Sequence, residues 1–337
     1  MTVAPAPMEA LLVAELPDEA GWQFEPKWDG FRCIAVRDGD DVALWSKSGK
    51  PLGRYFPEVV AMVAGLKADR FTLDGELVIE TVQGLDFDAL QMRLHPAESR
   101  ITRLSRETPA VLIAFDLLRE DGGAVIERPL LERRKRLESF VATAGSDLLL
   151  SPATTDRPTA LGWLATSGGA LDGVIGKRRS DSYRLGERVM VKVKQHRTAD
   201  CVVGGFRYDA TGAEMASLLL GLYNADGKLD HVGFCSSFSA TEKRSWTPEL
   251  EALSGSEGFT GSRPDKPSRW NRDKAPQWQP LRPESVVEVR YDQVTGGRFR
   301  HGTRFVRRRP DKAPEQCRAE QLRHPLTPAE LRQLIRG

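Results

Sequence analysis

Glu25-Pro26-Lys27-Trp28-Asp29-Gly30-Phe31-Arg32 sets a lysine between an acid and an Asp-Gly turn, directly ahead of an apolar run, Phe31–Val36, that reads as a strand. Two readings fit these residues. In one, Lys27 is a surface lysine and Asp29-Gly30 is only a turn. In the other, Lys27 is a nucleophile. An amine attacks only when deprotonated, so a nucleophilic lysine needs cations or desolvation to lower its pKa from about 10.4. The second reading therefore expects further cations, and carboxylates for a metal, elsewhere in the chain.

Working outward, the sequence supplies them in order. Asp38-Gly39-Asp40-Asp41 turns the chain into a second strand, Val42–Trp45. Phe56, Val59, Val60 and Val63 recur on one helical face, with Pro57 suited to the first turn. Asp74-Gly75-Glu76 is a carboxylate pair at a strand end, between short strands Phe71–Leu73 and Leu77–Ile79. Val111–Leu118 reads as a buried strand and encloses Phe115-Asp116, where an ionised Asp is costly unless paired. Leu130–Val141 reads as an amphipathic helix, and its Arg133-Arg134-Lys135-Arg136 run as a solvated face. Asp172-Gly173-Val174-Ile175-Gly176-Lys177 places an acid and a base around a strand. In Met190-Val191-Lys192-Val193-Lys194 the strand period puts Lys192 and Lys194 on one face. Two such lysines repel unless something anionic lies between them.

After His196 the pattern changes. Cys201–Phe206, Ser217–Tyr223, Asp230–Cys235 and Ser285–Tyr291 are β-type runs with Gly-rich turns, and Thr241–Leu253 fits one helix. Several strands and one helix in this span suggest a small β-barrel. Gly261–Pro280, rich in Pro, Trp and charge, reads as a long loop. The expectation is an α+β chain of two domains, 1–196 mixed α/β and 197–337 a barrel with a C-terminal tail.

Composition sets the bounds. A chain of 337 residues suggests two domains, and 40% hydrophobic with 28% charged residues argues against bulk disorder. No apolar stretch reaches the roughly 18 residues of a membrane helix, and the acidic N-terminus does not read as a secretory signal. Cys33, Cys201, Cys235 and Cys317 form no CxxC pair, which argues against structural zinc and a disulfide framework and for reduced thiols in the cytoplasm. No GxxxxGK[ST] occurs, so a nucleotide would not sit on a P-loop. A net charge of +2 decides nothing about nucleic acid, but Arg282–Lys312 holds nine Lys/Arg against four Asp/Glu, interleaved with Tyr291, Phe299 and Phe305. That local excess suits phosphate neutralisation on a barrel surface.

Taken together, Lys27-Trp-Asp-Gly, Asp74-Gly-Glu76, Phe115-Asp116, Asp172-Gly-Val-Ile-Gly-Lys177 and Lys192-Val-Lys194 resemble the covalent nucleotidyltransferases: ATP-dependent DNA ligases, RNA ligases and capping enzymes. Arg304-Phe305-Val306-Arg307-Arg308-Arg309-Pro310-Asp311-Lys312 resembles their RxDK motif, carried on an OB domain. With Glu288–Asp292 and Arg298–His301, the text is most similar to the small bacterial ATP-dependent DNA ligases of the LigC type, from about residue 8 to 320.

The resemblance implies that Lys27 becomes adenylated and that Glu25 reads the adenine edge. It implies Arg32 and Lys47 at ribose and phosphate, and Glu76 at the ribose and metal. Phe115 would stack on adenine, with Ile175 covering its other face. Lys177, Lys192 and Lys194 would surround the α-phosphate, with Glu76 and Asp172 holding Mg²⁺ (or Mn²⁺). Arg309 and Lys312 would reach the nucleotide, and Arg298, Arg300, Arg304 and Arg307 the DNA. Two positions depart from the family: Asp172 stands where Glu is usual, and Met190 where Trp is frequent.

The implied activity is ATP-dependent sealing of 3′-OH/5′-phosphate nicks in double-stranded DNA through a lysyl-AMP intermediate, in repair. It implies a cytoplasmic bacterial monomer, nucleoid-associated when on DNA, without a separate N-terminal DNA-binding domain and with a primase-polymerase-like repair partner. The alternatives are an RNA ligase or capping-type nucleotidyltransferase, and a non-catalytic OB-fold nucleic-acid-binding protein.

Overall fold

In the first of two units, strands rich in β-branched and aliphatic residues build two sheets that face each other. The computed structural model describes residues 5–81, 84–145, 147–167, 171–195, 197–255, 257–264, 277–322, 326 and 328–336. One sheet orders Glu9–Leu12, Arg188–Val193, Leu171–Arg178 and Trp22–Trp28; its first pair is parallel and the others antiparallel. The second orders Asp41–Ser46, Phe31–Asp38, Arg70–Thr81, Ala110–Glu120 and Gly123–Ala124, with Gly84–Leu85 and Leu148–Leu150 alongside. Helices Pro57–Gly65 and Leu130–Ala144 cover the second sheet, where Val59, Val63, Leu137 and Phe140 join Leu73, Leu77 and Leu117 in one core. Pro57 does sit in the first turn of its helix.

Three expectations are corrected here. Asp74-Gly75-Glu76 is not at a strand end: Arg70–Thr81 is one continuous strand, paired along both edges with Phe31–Asp38 and Ala110–Glu120. Ladder bonds on both sides override the turn tendency of Asp-Gly, although the ladder to Ala110–Glu120 shifts register at Thr72/Leu73 and at Asp74/Gly75.

The basic run on Leu130–Ala144 is not a solvated face throughout. Arg133 is buried and forks onto Asp116, Nε to Oδ1 at 2.8 Å and Nη2 to Oδ2 at 3.0 Å. Arg134, also buried, donates to the Ser151 carbonyl and to Glu138. This supplies the partner that the buried Asp116 requires, and a planar bidentate guanidinium suits that task.

The C-terminal tail does not belong with the barrel. Helix Pro328–Arg336 is part of the first unit, where Leu331 and Ile335 pack with Trp28, Val78, Ile113 and Leu171 and Arg336 pairs with Glu80.

The second unit spans His196–His324. Its strands run Leu229–Cys235, Met215–Tyr223, Arg197–Tyr208, Val286–Tyr291, Arg304–Arg308 in spatial order. The ends of that order meet, since Cys235 bridges Thr303 and the Thr303 N–H donates to the Phe234 carbonyl at 3.0 Å. Five strands closed in this way remove the sheet edges. Helix Ala240–Ala252 opens on a capping box between Ser239 and Glu242. Most of the segment read as a long loop lies outside the described residues. Among the described residues, no helix is long and apolar enough to cross a membrane.

Candidate active site

The alternation of Trp22–Trp28 puts Gln23, Glu25 and Lys27 on one face and Trp22, Phe24 and Trp28 on the other. The second set is core, and the Trp28 indole N–H donates to Ser151 Oγ at 3.0 Å. Of the first set, Glu25 and Lys27 line a cleft of about 1090 Å³ between the two sheets, and Gln23 lies buried behind Glu25. Gly30 makes the crossing possible: a Cβ there would lie 2.1 Å from the Leu77 carbonyl oxygen.

Nine of the residues singled out in the sequence line this cleft: Glu25, Lys27, Arg32, Lys47, Glu76, Phe115, Ile175, Lys177 and Lys192. Asp172 and Lys194 reach the same place through Lys27. Asp172 Oδ2 lies 2.6 Å from Lys27 Nζ and 2.9 Å from Lys194 Nζ. Gly173, at φ +128°, lets the chain turn there, because a Cβ would meet the Val193 carbonyl at 2.1 Å.

The cleft has two chemically different ends. At one end lie Lys27, Lys192 and Lys194 with Asp172 and Glu76. Burial alone would lower the pKa of Lys27, but the carboxylates of Asp172, Glu76 and Asp29 outweigh it and hold it above the ordinary lysine value. The depressed amine expected from the sequence is therefore not the state found, since Asp172 lies in direct contact. Burial also opposes ionisation of Asp172, and the two lysines overcome it and hold its pKa low. Burial pushes Glu76 up to about 7 against the pull of Lys27 and Arg32. Burial, then the charges of Lys27, Lys194 and Lys47, lowers Lys192.

At the other end Glu25 and Lys177, both buried, pair at 2.8 Å. Gln23 Nε2 donates to the second Glu25 oxygen at 2.8 Å. Lys177, expected among the phosphate lysines, is carried by its strand to the level of Gln23, beside Glu25. The Phe115 ring has two cations near it, the Arg32 guanidinium 4.7 Å and the Lys177 amine 4.8 Å from its centroid. Arg32 is fixed by a two-pronged pair with Asp74, which also accepts from the Tyr183 hydroxyl at 2.6 Å.

Apolar side chains from both sheets, Phe115 from one and Ile175 and Met190 from the other, a donor–acceptor pair at one end and amines at the other suit a purine nucleotide. For a metal, no three His, Cys, Asp or Glu side chains cluster among the described residues. Glu76 and Asp172 flank Lys27, and two carboxylates fit an Mg²⁺ that keeps several waters and shares substrate phosphates.

On the second unit, Arg309 and Lys312 both engage Asp200, at 2.8 and 2.6 Å. Arg309 also forks onto Asp311, whose pKa falls to about 2 mainly through that hydrogen bond. Arg298 donates to His231 Nδ1 at 2.8 Å, Arg300 to Gln293 at 2.6 Å and Arg307 to Glu288 at 2.6 Å, while Arg304 is exposed.

Sequence reasoning missed Gln23, Tyr183, Asp200 and Glu9. Glu9 lies at the cleft mouth, 3.1 Å from Lys47 and 3.2 Å from Arg188. Gln23 was signalled by its place two residues before Glu25 on the same strand face. Asp200 was signalled as a lone acid in an apolar strand. Tyr183 and Glu9 carry no local signal.

Two family models match the chain: "ATP dependent DNA ligase domain" over residues 9–194 and "ATP dependent DNA ligase C terminal region" over 211–312. Among curated relatives, DNA ligase C of Mycobacterium tuberculosis is 46% identical over 96% of this chain and 94% of its own length. The multifunctional non-homologous end joining DNA repair protein LigD of the same species is 30% identical over 88% of this chain, which spans 37% of that protein. A solved structure from a structure-function analysis of Lig E DNA ligases, on DNA binding with a minimal scaffold, superposes with a TM-score of 0.52. It is 18% identical, with coverage of 90% of this chain and 100% of that one, and supports the fold alone.

Proposed function

This chain belongs to the ATP-dependent DNA ligases, and we propose that it seals nicks bearing a 3′-OH and a 5′-phosphate by way of AMP carried on Lys27. The observation that carries the reading is the amine of Lys27 at the cationic end of the cleft, with Lys192, Lys194, Asp172 and Glu76 around it.

Adenine enters against Phe115 with its edge toward Glu25 and Lys177. The carboxylate accepts from the exocyclic amine and the ammonium donates to the adjacent ring nitrogen. Guanine presents the reverse pattern there, a carbonyl and a ring N–H, so the same pair opposes GTP. Arg32 and Lys47 lie toward ribose and phosphate. The triphosphate then brings its own negative charge to Lys192 and Lys194, competing with Asp172 for them.

In the first step Lys27 Nζ attacks the α-phosphorus. The N–P bond forms as the bond from phosphorus to the β-phosphate oxygen breaks, pyrophosphate leaves, and the protons lost by the ammonium pass to solvent. Fixed lysines offset charge developing on the equatorial oxygens. Glu76 and Asp172 would hold Mg²⁺, which when bound supplies further neutralisation of that charge. In the second step a 5′-phosphate oxygen of the nick displaces Lys27 from the AMP phosphorus. In the third the 3′-oxygen attacks the 5′-phosphorus, the new phosphodiester forms, and AMP departs with the bridging oxygen. The barrel arginines Arg298, Arg300, Arg304 and Arg307 contact the DNA backbone.

A role in DNA repair in the bacterial cytoplasm, as a monomer working beside a primase-polymerase-like partner, is the setting we infer. It draws on the end-joining repair function in the name of the LigD relative. Gel assay of nicked duplexes in DNA and RNA, each with ATP or GTP, tests the activity. The reading expects sealing of the DNA nick with ATP; preference for RNA nicks or for GTP would replace it with an RNA ligase or a capping-type enzyme.

A further inference from the structure

On the barrel, one carboxylate holds two cations at once. Asp200 lies on strand Arg197–Tyr208 between core residues Ala199 and Cys201, and is itself only 9% exposed. Its Oδ1 accepts from Arg309 Nη1 at 2.8 Å and its Oδ2 from Lys312 Nζ at 2.6 Å. Its backbone is fixed as well: the N–H donates to Gln321 Oε1 at 3.0 Å, and the carbonyl accepts from Gln321 Nε2 at 3.2 Å.

Arg309 and Lys312 stand at the two ends of a short turn, closed by the Lys312 N–H donating to the Arg309 carbonyl at 3.2 Å. Without Asp200, two like charges on long side chains would share one small region with no common counter-ion. Lys312 would regain rotamer freedom, and Arg309, still held by Asp311, would lose its tie to Lys312. With it, both heads are pinned and still have donors left over. A guanidinium has five N–H groups and an ammonium three, and the contacts to Asp200 and Asp311 do not use them all. An acid buried in an apolar strand is costly unless it is matched in this way.

We propose that Asp200 is the positioning residue for Arg309 and Lys312, presenting the pair in one fixed arrangement to the β- and γ-phosphates of ATP. The inference rests on the family resemblance by which Arg309 and Lys312 reach the nucleotide. It implies that Asp200 matters for the step that expels pyrophosphate and not for a step that lacks it.

The test uses the full-length protein and two substrates: ATP for self-adenylation, and a nicked DNA already carrying AMP on its 5′-phosphate. Asp200→Asn removes the charge and one of the two strong acceptors at nearly constant size. The expected result is a KM for ATP in self-adenylation raised about ten- to a hundredfold, the cost of misplacing a phosphate-binding group by about 1 Å. Sealing of the pre-adenylated nick stays within about twofold. Asp200→Glu, which keeps the charge, recovers part of the loss, and it also serves if Asp200→Asn folds poorly.

A merely structural role would lower both activities together, and that result overturns the proposal. So does an Asp200→Asn protein with an unchanged KM for ATP. Arg309→Ala and Lys312→Ala, measured alongside, separate the premise from the inference. If they leave self-adenylation intact, the phosphate reading fails and takes the proposal with it. If they impair it while Asp200→Asn does not, the proposal alone fails.

Discussion

One oxygen of Asp172 lies 2.6 Å from the amine of Lys27 and 2.9 Å from that of Lys194. The nucleophile is thus held as an ammonium until substrate charge reorganises the site, and Asp172, which restrains Lys27, is the carboxylate we propose for the metal. Asp172→Asn should therefore bind ATP yet lose most adenylation at low Mg²⁺, by about tenfold or more, while Asp172→Glu keeps activity. Equal rates for the Asn and Asp forms across a Mg²⁺ titration would remove Asp172 from the metal site.

The buried Glu25–Lys177 pair, 2.8 Å apart at one end of the cleft, predicts base selectivity. Glu25→Gln should raise KM for ATP and narrow the preference for ATP over GTP by about ten- to a hundredfold, as the loss of a buried charged hydrogen bond does. Competition between the two nucleotides in self-adenylation reads this directly. An unchanged ratio would place the base elsewhere.

Glu76 gives a pH signature. Its folded-state pKa of about 7 lies above the ordinary carboxylate value of 4.5. A raised pKa means that its contribution to stability is present below the ordinary value and is lost as pH rises through about 7. In the metal-free protein, Glu76→Gln should therefore be about as stable as the parent at pH near 4.5 and more stable near pH 8, by on the order of 3 kcal/mol. Urea unfolding in EDTA at the two pH values measures the difference. The same increment at both would show that Glu76 ionises normally.

Much of this site was legible before the structure because its motifs are local and ordered. Lys27, Glu25, Phe115 and Lys192 sit on strands whose alternation already sets their face. What was not legible depends on partners distant in sequence. Arg133 and Arg134 read as solvated because nothing near them announces Asp116 or the Ser151 carbonyl as partners. Asp74-Gly75-Glu76 read as a strand end because the two flanking strands that straighten it lie outside its window. Leu331 and Ile335 have helical spacing, but only tertiary packing against Trp28 and Leu171 assigns them to the first unit. The raised pKa of Lys27 escaped for the same reason: the cations near it in the sequence pattern were visible, and the contact with Asp172 was not.

The central claim is that Lys27 carries AMP. Incubating the protein with ATP labelled at the α-phosphate, in the presence of Mg²⁺, tests it most directly. The account predicts an acid-labile label on Lys27 that pyrophosphate removes and nicked DNA takes up. It predicts no label on folded Lys27→Ala, and none on Lys27→Arg, whose guanidinium stays protonated. Label retained by either variant, or absent from the parent protein, would contradict it.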